Sequence, residues 1–165
     1  MALDLVAGES IVFTEGSVVD GVYASSAIPS VFPPVMHDGR IIVDGGGPYR
    51  VPIDACRDLG AEFILAVDIP AFEETSFTTG LDMILRSNTI ARQRLNRLIC
   101  SQADFVIRPN VTEFHWADFA AGEACRARGY SAAREALPEL KKLLRWKNSL
   151  PYKAKVMAGK ILKMG

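Results

Sequence analysis

The spacing of apolar residues changes several times along this chain, and each change marks an element. Ile11, Val12 and Phe13 follow the turn signal Ala7-Gly8-Glu9, which predicts a short strand over residues 10–14. Val18, Val22 and Ser25-Ser26 recur at helical intervals behind Ser17, with Asp20 three positions on as in a capping box. A helix is therefore expected over residues 17–26, ended by Pro29. Val35-Met36-His37 and Arg40-Ile41-Ile42-Val43 flank Asp38-Gly39, two residues that tolerate the positive φ of a type I′ turn, and this predicts a β-hairpin. Pro52 opens a short helix over 53–59 with Gly60 at its C-terminal stop. The run 62–69 is apolar almost throughout, as in a strand buried on both faces of an α/β sheet. Over residues 81–100, Ile84, Leu85, Asn88, Ala91, Leu95, Leu98 and Ile99 share one side and Arg86, Arg92, Arg94 and Arg97 lie largely opposite. That pattern predicts a surface helix packed on the sheet. Residues 104–108 predict a strand stopped by Pro109, and residues 118–127 and 130–146 predict two helices broken at Gly129.

This order of elements gives an α/β class with a layered α/β/α arrangement. Composition narrows the picture only modestly: 165 residues, 49% of them hydrophobic, suffice for one globular domain with a core. Charge is more telling. Up to Pro138 the chain carries 11 basic and 18 acidic residues, and after it 8 basic and 1 acidic, so an acidic body of −7 bears a basic tail of +7. Residues 1–138 are thus read as the body and 139–165 as a basic helical tail. Cys56, Cys100 and Cys125 are odd in number, widely spaced and without a C-x-x-C pair, which suits reduced thiols in a cytoplasmic-type protein and gives no zinc pattern. No stretch approaches the ~18 to 20 apolar residues that a membrane span requires.

Chemistry concentrates at Asp44-Gly45-Gly46, which follows the apolar strand 40–43. Two glycines behind a carboxylate are expected to supply positive φ and to leave the space above it open to a partner or substrate. The bland competitor is a turn closed by an Asx-type hydrogen bond. A carboxylate alone catalyses little, and these residues do not reveal its partner.

Three stretches together resemble the patatin-like phospholipases, serine lipid acyl hydrolases, in their bacterial branch. Ala24-Ser25-Ser26-Ala27-Ile28-Pro29-Ser30-Val31-Phe32-Pro33-Pro34 is similar to an A-S-x-A-x-P-x-x-F-x-P block of that family. Asp44-Gly45-Gly46 matches its D-G-[GA] motif, and the stretch from Val51-Pro52-Ile53-Asp54 through Leu59-Gly60-Ala61 to Val67-Asp68 follows a third family block in register. The resemblance covers roughly residues 2–70, while the remainder matches only in style.

The resemblance implies a Ser-Asp dyad. A serine in a G-x-S-x-G elbow attacks an ester carbonyl of a phospholipid or other fatty acyl ester, and the aspartate serves as its base without a histidine. Asp44 takes the catalytic position and Gly45 and Gly46 its active-site loop. In the family, the elbow and a glycine-rich oxyanion loop precede these motifs. This chain contains no G-x-S-x-G: Gly8-Glu9-Ser10 and Glu15-Gly16-Ser17 lack the second glycine and the strand-turn-helix setting. The expectation is the aspartate-bearing C-terminal half of the domain, with an incomplete sheet, no nucleophile and no activity alone. The non-enzymatic alternative is a catalytically silent module that binds lipid or protein. Tyr49-Arg50 departs from the asparagine common in the family's loop after the aspartate.

No cofactor and no metal site is expected. Gly45-Gly46-Gly47 lacks the surroundings of a phosphate loop. His37 and His115 have no neighbours suggesting catalysis, and Pro29, Phe32, Pro33 and Pro34 read as structural. Beyond Tyr152, Ala154, Met157, Ala158, Ile161 and Met164 group opposite Lys153, Lys155, Lys160 and Lys163, an arrangement suited to an anionic membrane surface. Nucleic acid is not expected, since the body is acidic and no aromatic residues interleave with the tail's lysines. An incomplete sheet leaves open edges and apolar faces, so self-association or pairing with an N-terminal half is expected.

Overall fold

Gly39 adopts φ +74°, the left-handed conformation that its place in a tight hairpin turn requires, and the two runs flanking it pair as expected. The computed structural model describes residues 1–29, 31–37, 39–48, 50–72, 78–115 and 117–149. Asp38, Ser30, Tyr49 and the tail segment 150–165, on which several sequence-based expectations fall, lie outside them. Strand β1 (Ala2–Asp4), β2 (Glu9–Ile11), β3 (Val35–His37) and β4 (Arg40–Asp44) form an antiparallel sheet in the order β2-β1-β4-β3. Val35 pairs with Ile42 and His37 with Arg40 across the hairpin, while Ala2 faces Asp44 and Asp4 faces Ile42 on the other side. The strand expected over 10–14 is displaced toward Glu9, because its partner β1 is only three residues long and the ladder runs out at Ala2↔Ile11.

Helix α1 (Val18–Ser25) begins as its sequence predicts. The Ser17 hydroxyl accepts the Asp20 N–H at 3.3 Å, satisfying one of the donors a helix leaves open at its start. Ala24 of α1 packs with Ala2 and Ile42 beneath Ile11 and Val35, and this small cluster is the core of the four-stranded sheet.

A second unit follows: α2 (Ile53–Asp58), β5 (Leu65–Val67), α3 (Gly80–Cys100) and β6 (Phe105–Ile107), with β5 and β6 paired in parallel. Gly60, at φ +90°, stops α2 as expected, and its N–H reaches the Arg57 carbonyl at 2.8 Å. Ile53, Ile64, Ala66 and Ile99 make the core here. The α/β class is therefore present, with its strands gathered in two small sheets, each holding its own core.

Two expectations about packing are corrected in this unit. The apolar run 62–69 yields a strand of three residues that buries only Ala66, leaving Leu65 at 44% and Val67 at 51% exposure. Its second face has no covering layer among the described residues. Helix α3 forms over the expected span, started by a reciprocal capping box in which Thr79 Oγ1 accepts the Asp82 N–H and Asp82 Oδ2 accepts the Thr79 N–H. It packs only through its last turns, burying Asn96, Ile99 and Cys100, while Leu81, Met83, Ile84, Leu85, Leu95 and Leu98 are exposed.

The two helices expected on either side of Gly129 are a single helix, α4 (Gly122–Lys147), preceded by a 3₁₀ turn at Phe119–Ala121. Gly129 has open space around it and nothing forces a bend there. A helix interior tolerates one glycine at a cost of about 1 kcal/mol. Pro138 also lies inside α4, so the helix runs through the composition boundary after residue 138. No residue of α4 is buried.

Candidate active site

Asp44 is the last residue of β4, and its place is fixed by the backbone on both sides. Its N–H donates to the Ala27 carbonyl at 3.0 Å, and it stands opposite Ala2 of β1 in the ladder. Ala27 is buried and sits just past the end of α1, so the block that follows α1 holds the end of the aspartate's strand. Phe32 and Val31 donate their N–H groups to the Ile28 carbonyl, closing a turn that suits the structural reading of this block.

The half-buried carboxylate of Asp44 accepts the Gly46 N–H on Oδ1 at 2.8 Å. Among the described residues Oδ2 accepts no hydrogen bond. The site is thus an Asx turn and an open oxygen at once, since the turn uses only one of the two. The expected positive φ is absent: among the described residues the glycines in the left-handed region are Gly8, Gly16, Gly39 and Gly60, not Gly45 or Gly46. Space, not backbone twist, explains the pair. A Cβ on Gly45 would stand 3.2 Å from the Met1 carbonyl oxygen and from Ala2 Cα, and one on Gly46 would stand 3.2 Å from Asp44 Oδ1 itself. Gly45 lets the turn lie against β1, and Gly46 leaves the carboxylate uncovered.

A second acidic site lies at the carboxyl end of β5, and reading the sequence did not single it out as a cluster. Asp68 is buried, with Oδ1 accepting Asn96 Nδ2 at 2.6 Å and Oδ2 accepting Arg108 Nε at 2.9 Å. The other side-chain atom of Asn96, Oδ1, is buried without a partner among the described residues. Cys100 lies one turn further along α3, and burial, reinforced by the charge of Asp68, pushes its thiol up from the ordinary value. It is an inert core thiol, not a nucleophile. The readable signal was Asn96 itself, an amide set three and four residues before Ile99 and Cys100 on the buried face of α3.

A third carboxylate, Asp104, ties the elements of this unit together. It accepts Arg57 Nη2 at 2.6 Å, the Ile64 N–H at 2.8 Å and Lys147 Nζ from the end of α4. Lys147 also lies over the Phe63 ring at 4.9 Å. Burial works to raise the Asp104 pKa, but the hydrogen bonds from Lys147, Ile64 and Arg57 outweigh it and hold the carboxyl below its ordinary value. His115 stacks edge-on against Phe72 at 5.3 Å and its Nδ1 accepts the Ala117 N–H, and His37 lies in β3. Among the described residues no helix is long and apolar enough to cross a membrane.

Residues 6–57 match the family model of the patatin-like phospholipases. The chain is similar to patatin-like phospholipase domain-containing protein 7 of Mus musculus, 34% identical over 77 residues that make up 46% of this chain and 6% of that protein. It is also similar to patatin-like phospholipase domain-containing protein 6 of Homo sapiens, 32% identical over 78 residues, again 46% of this chain and 6% of the relative. An uncharacterized NTE family protein of Mycobacterium tuberculosis is 26% identical over 172 aligned positions, covering 88% of this chain and 29% of its own length. The chain spans a small share of every one of these relatives. Residues 6–57, Asp44 among them, are thus the part of this chain that is similar to the patatin-like phospholipase family.

Proposed function

We propose that this chain supplies the carboxylate base of a patatin-like lipid acyl hydrolase that acts on phospholipid or other fatty acyl esters through a Ser-Asp dyad. The observation that carries the reading is Asp44 at the end of β4, with one oxygen held by the Gly46 N–H and the other open above a glycine. In the reaction, that open oxygen takes the proton of a serine hydroxyl as Oγ attacks the ester carbonyl. Collapse of the tetrahedral intermediate returns the proton to the departing alcohol and leaves an acyl-serine, which water hydrolyses by the same proton path. The base must approach Oγ to within ~2.6 to 3.2 Å, and the developing oxyanion needs backbone N–H donors whose loss costs on the order of 10² to 10³ in rate. Serine and donors come from polypeptide outside these 165 residues, since no G-x-S-x-G occurs within them.

A fluorophosphonate probe, which labels activated serines covalently, tests the division of labour. The purified chain is expected to remain unlabelled and to hydrolyse no acyl ester. Covalent labelling of any of its serines would overturn the reading. The absence of a nucleophile motif also supports a second reading, a silent lipid- or protein-binding module. Hydrolysis restored by a G-x-S-x-G polypeptide of the family favours the first, and lipid binding without any restorable hydrolysis favours the second. A contribution of the basic tail to membrane binding is tested with anionic liposomes: equal binding by the intact chain and by a chain ending at residue 150 would remove it.

A further inference from the structure

Segment 45–50 runs from the end of β4 toward α2 and so joins the two units. Its sequence gives it little stiffness of its own. Gly45, Gly46 and Gly47 carry no side chains, and a Cβ on Gly47 would meet nothing within 4 Å, so that part of the turn is packed against no neighbour among the described residues. At one end Asp44 is held by the Ala27 carbonyl and by β1. At the other, Val51 packs on the core of the second unit, an apolar contact that sets distance without setting direction.

Among the described residues two side-chain hydrogen bonds act on the segment between these ends. The Gly46 N–H donates to Asp44 Oδ1 at 2.8 Å, and Arg50 Nη2 donates to the Ile69 carbonyl at 2.7 Å. The second bond crosses from the segment to the chain just beyond β5. Its acceptor is firmly placed, because the residue before it is held three ways. The Asp68 N–H donates to the Ile107 carbonyl at 2.9 Å, and the buried Asp68 carboxylate accepts Asn96 on one oxygen and Arg108 on the other. The buried cluster at the carboxyl end of β5 thus reaches the turn at Asp44 through one guanidinium.

We infer that Arg50 is a positioning residue for Asp44, an inference that rests on the reading of Asp44 as the base. By tying the far end of the segment to Ile69, Arg50 keeps the Gly46 N–H on Oδ1 and the three glycines clear of Oδ2. Without that tie the glycines are free to shift across the carboxylate they now leave uncovered. A hydrogen bond from a charged donor changes a local equilibrium by about tenfold, and a displacement of about 1 Å at a catalytic group costs on the order of 10² in rate. A guanidinium keeps its protons at any working pH, so Arg50 takes no part in the proton transfer itself.

Two measurements test this, the first without catalysis. On the intact chain, solvent exchange of the Gly46 amide is followed by NMR. Arg50→Met keeps the apolar stem and removes the donor, and it is expected to speed exchange at Gly46 about 10-fold while Ile42 and Val43 of β4 exchange as in the parent. Arg50→Lys keeps a charged donor of similar reach and is expected to restore the parent rate. In a mixture with a patatin-like G-x-S-x-G polypeptide, Arg50→Met is expected to lower kcat about 10-fold at unchanged KM, and Arg50→Lys to recover most of the loss. If no polypeptide restores hydrolysis, the hydrolase reading fails, and the exchange rates still decide whether Arg50 holds the turn. An unchanged Gly46 rate in a folded Arg50→Met chain would overturn the inference whatever hydrolysis shows. So would a rise in KM at unchanged kcat, which would make Arg50 a substrate contact, or faster exchange throughout β4, which would make it a support of the fold alone.

Discussion

Asp44 and Asp68 both follow the last apolar residue of a strand, yet the chain treats them in opposite ways. Asp68 is buried with both oxygens committed, one to Asn96 and one to Arg108. Asp44 is half-buried with one oxygen committed to its own turn and one open, beside glycines that add no side chain over it. A carboxylate with a fixed donor on each oxygen is oriented by the fold and committed to holding those donors in place. One with an open oxygen and a rigid backbone is available to take a proton from something that is not yet there. The difference separates a carboxylate that holds the fold from one that the fold holds out.

Substitution sharpens that contrast. Asp44→Asn keeps an acceptor for the Gly46 N–H and is expected to leave stability almost unchanged. In the assembled enzyme it is expected to cost ~10² to 10⁴ in kcat, the usual worth of a general base; ester hydrolysis beside a urea melt reads both. Asp68→Ala reverses the pattern. It strands the buried Asn96 amide and releases Arg108, and a loss of about 2 to 3 kcal/mol is expected in urea unfolding. Equal effects of the two substitutions on stability would erase the distinction.

Gly45→Ala sets a Cβ against the backbone of β1 at 3.2 Å and is expected to cost about 1 to 2 kcal/mol, with the Asp44 turn lifted from the sheet. Thermal melting measures it, and an unchanged melting temperature would show that the turn does not depend on this approach. Asp104→Asn is expected to cost about 1 kcal/mol at neutral pH and to change the acid profile. The folded pKa of Asp104 is depressed, so its contribution is present above the unfolded value of about 3.9 and is lost as pH falls through the folded value. The parent's stability should therefore decline more steeply than the variant's below about pH 4. Parallel curves would mean that the hydrogen bonds to Asp104 add nothing.

Local signals carried most of what could be read before the structure. Ser17 capping α1, Gly39 in the turn between β3 and β4, and Gly60 after α2 each act within a few residues, so the chain states them directly. Layering was harder to read, because burial depends on what lies across the strand or helix. The run 62–69 and the apolar side of α3 carry the composition of packed elements, but most of both is exposed here. Gly129 misled because a helix breaker weakens a helix by an amount that its other residues can outweigh. At the site, Asp44 is legible through its glycines, whose role in the structure is space and not positive φ. The Asp68–Asn96–Arg108 cluster was not legible, because its members are separated by up to 40 residues and only the pairing of β5 with β6 and the packing of α3 bring them together.

The most direct test of the account is reaction of the purified chain with a fluorophosphonate probe, alone and with a patatin-like G-x-S-x-G polypeptide, followed by acyl ester hydrolysis. The account predicts no labelling and no hydrolysis by the chain alone, with both arising in the mixture on the added polypeptide's serine and lost with Asp44→Asn. Labelling of a serine in this chain, or hydrolysis that survives Asp44→Asn in the mixture, would contradict it.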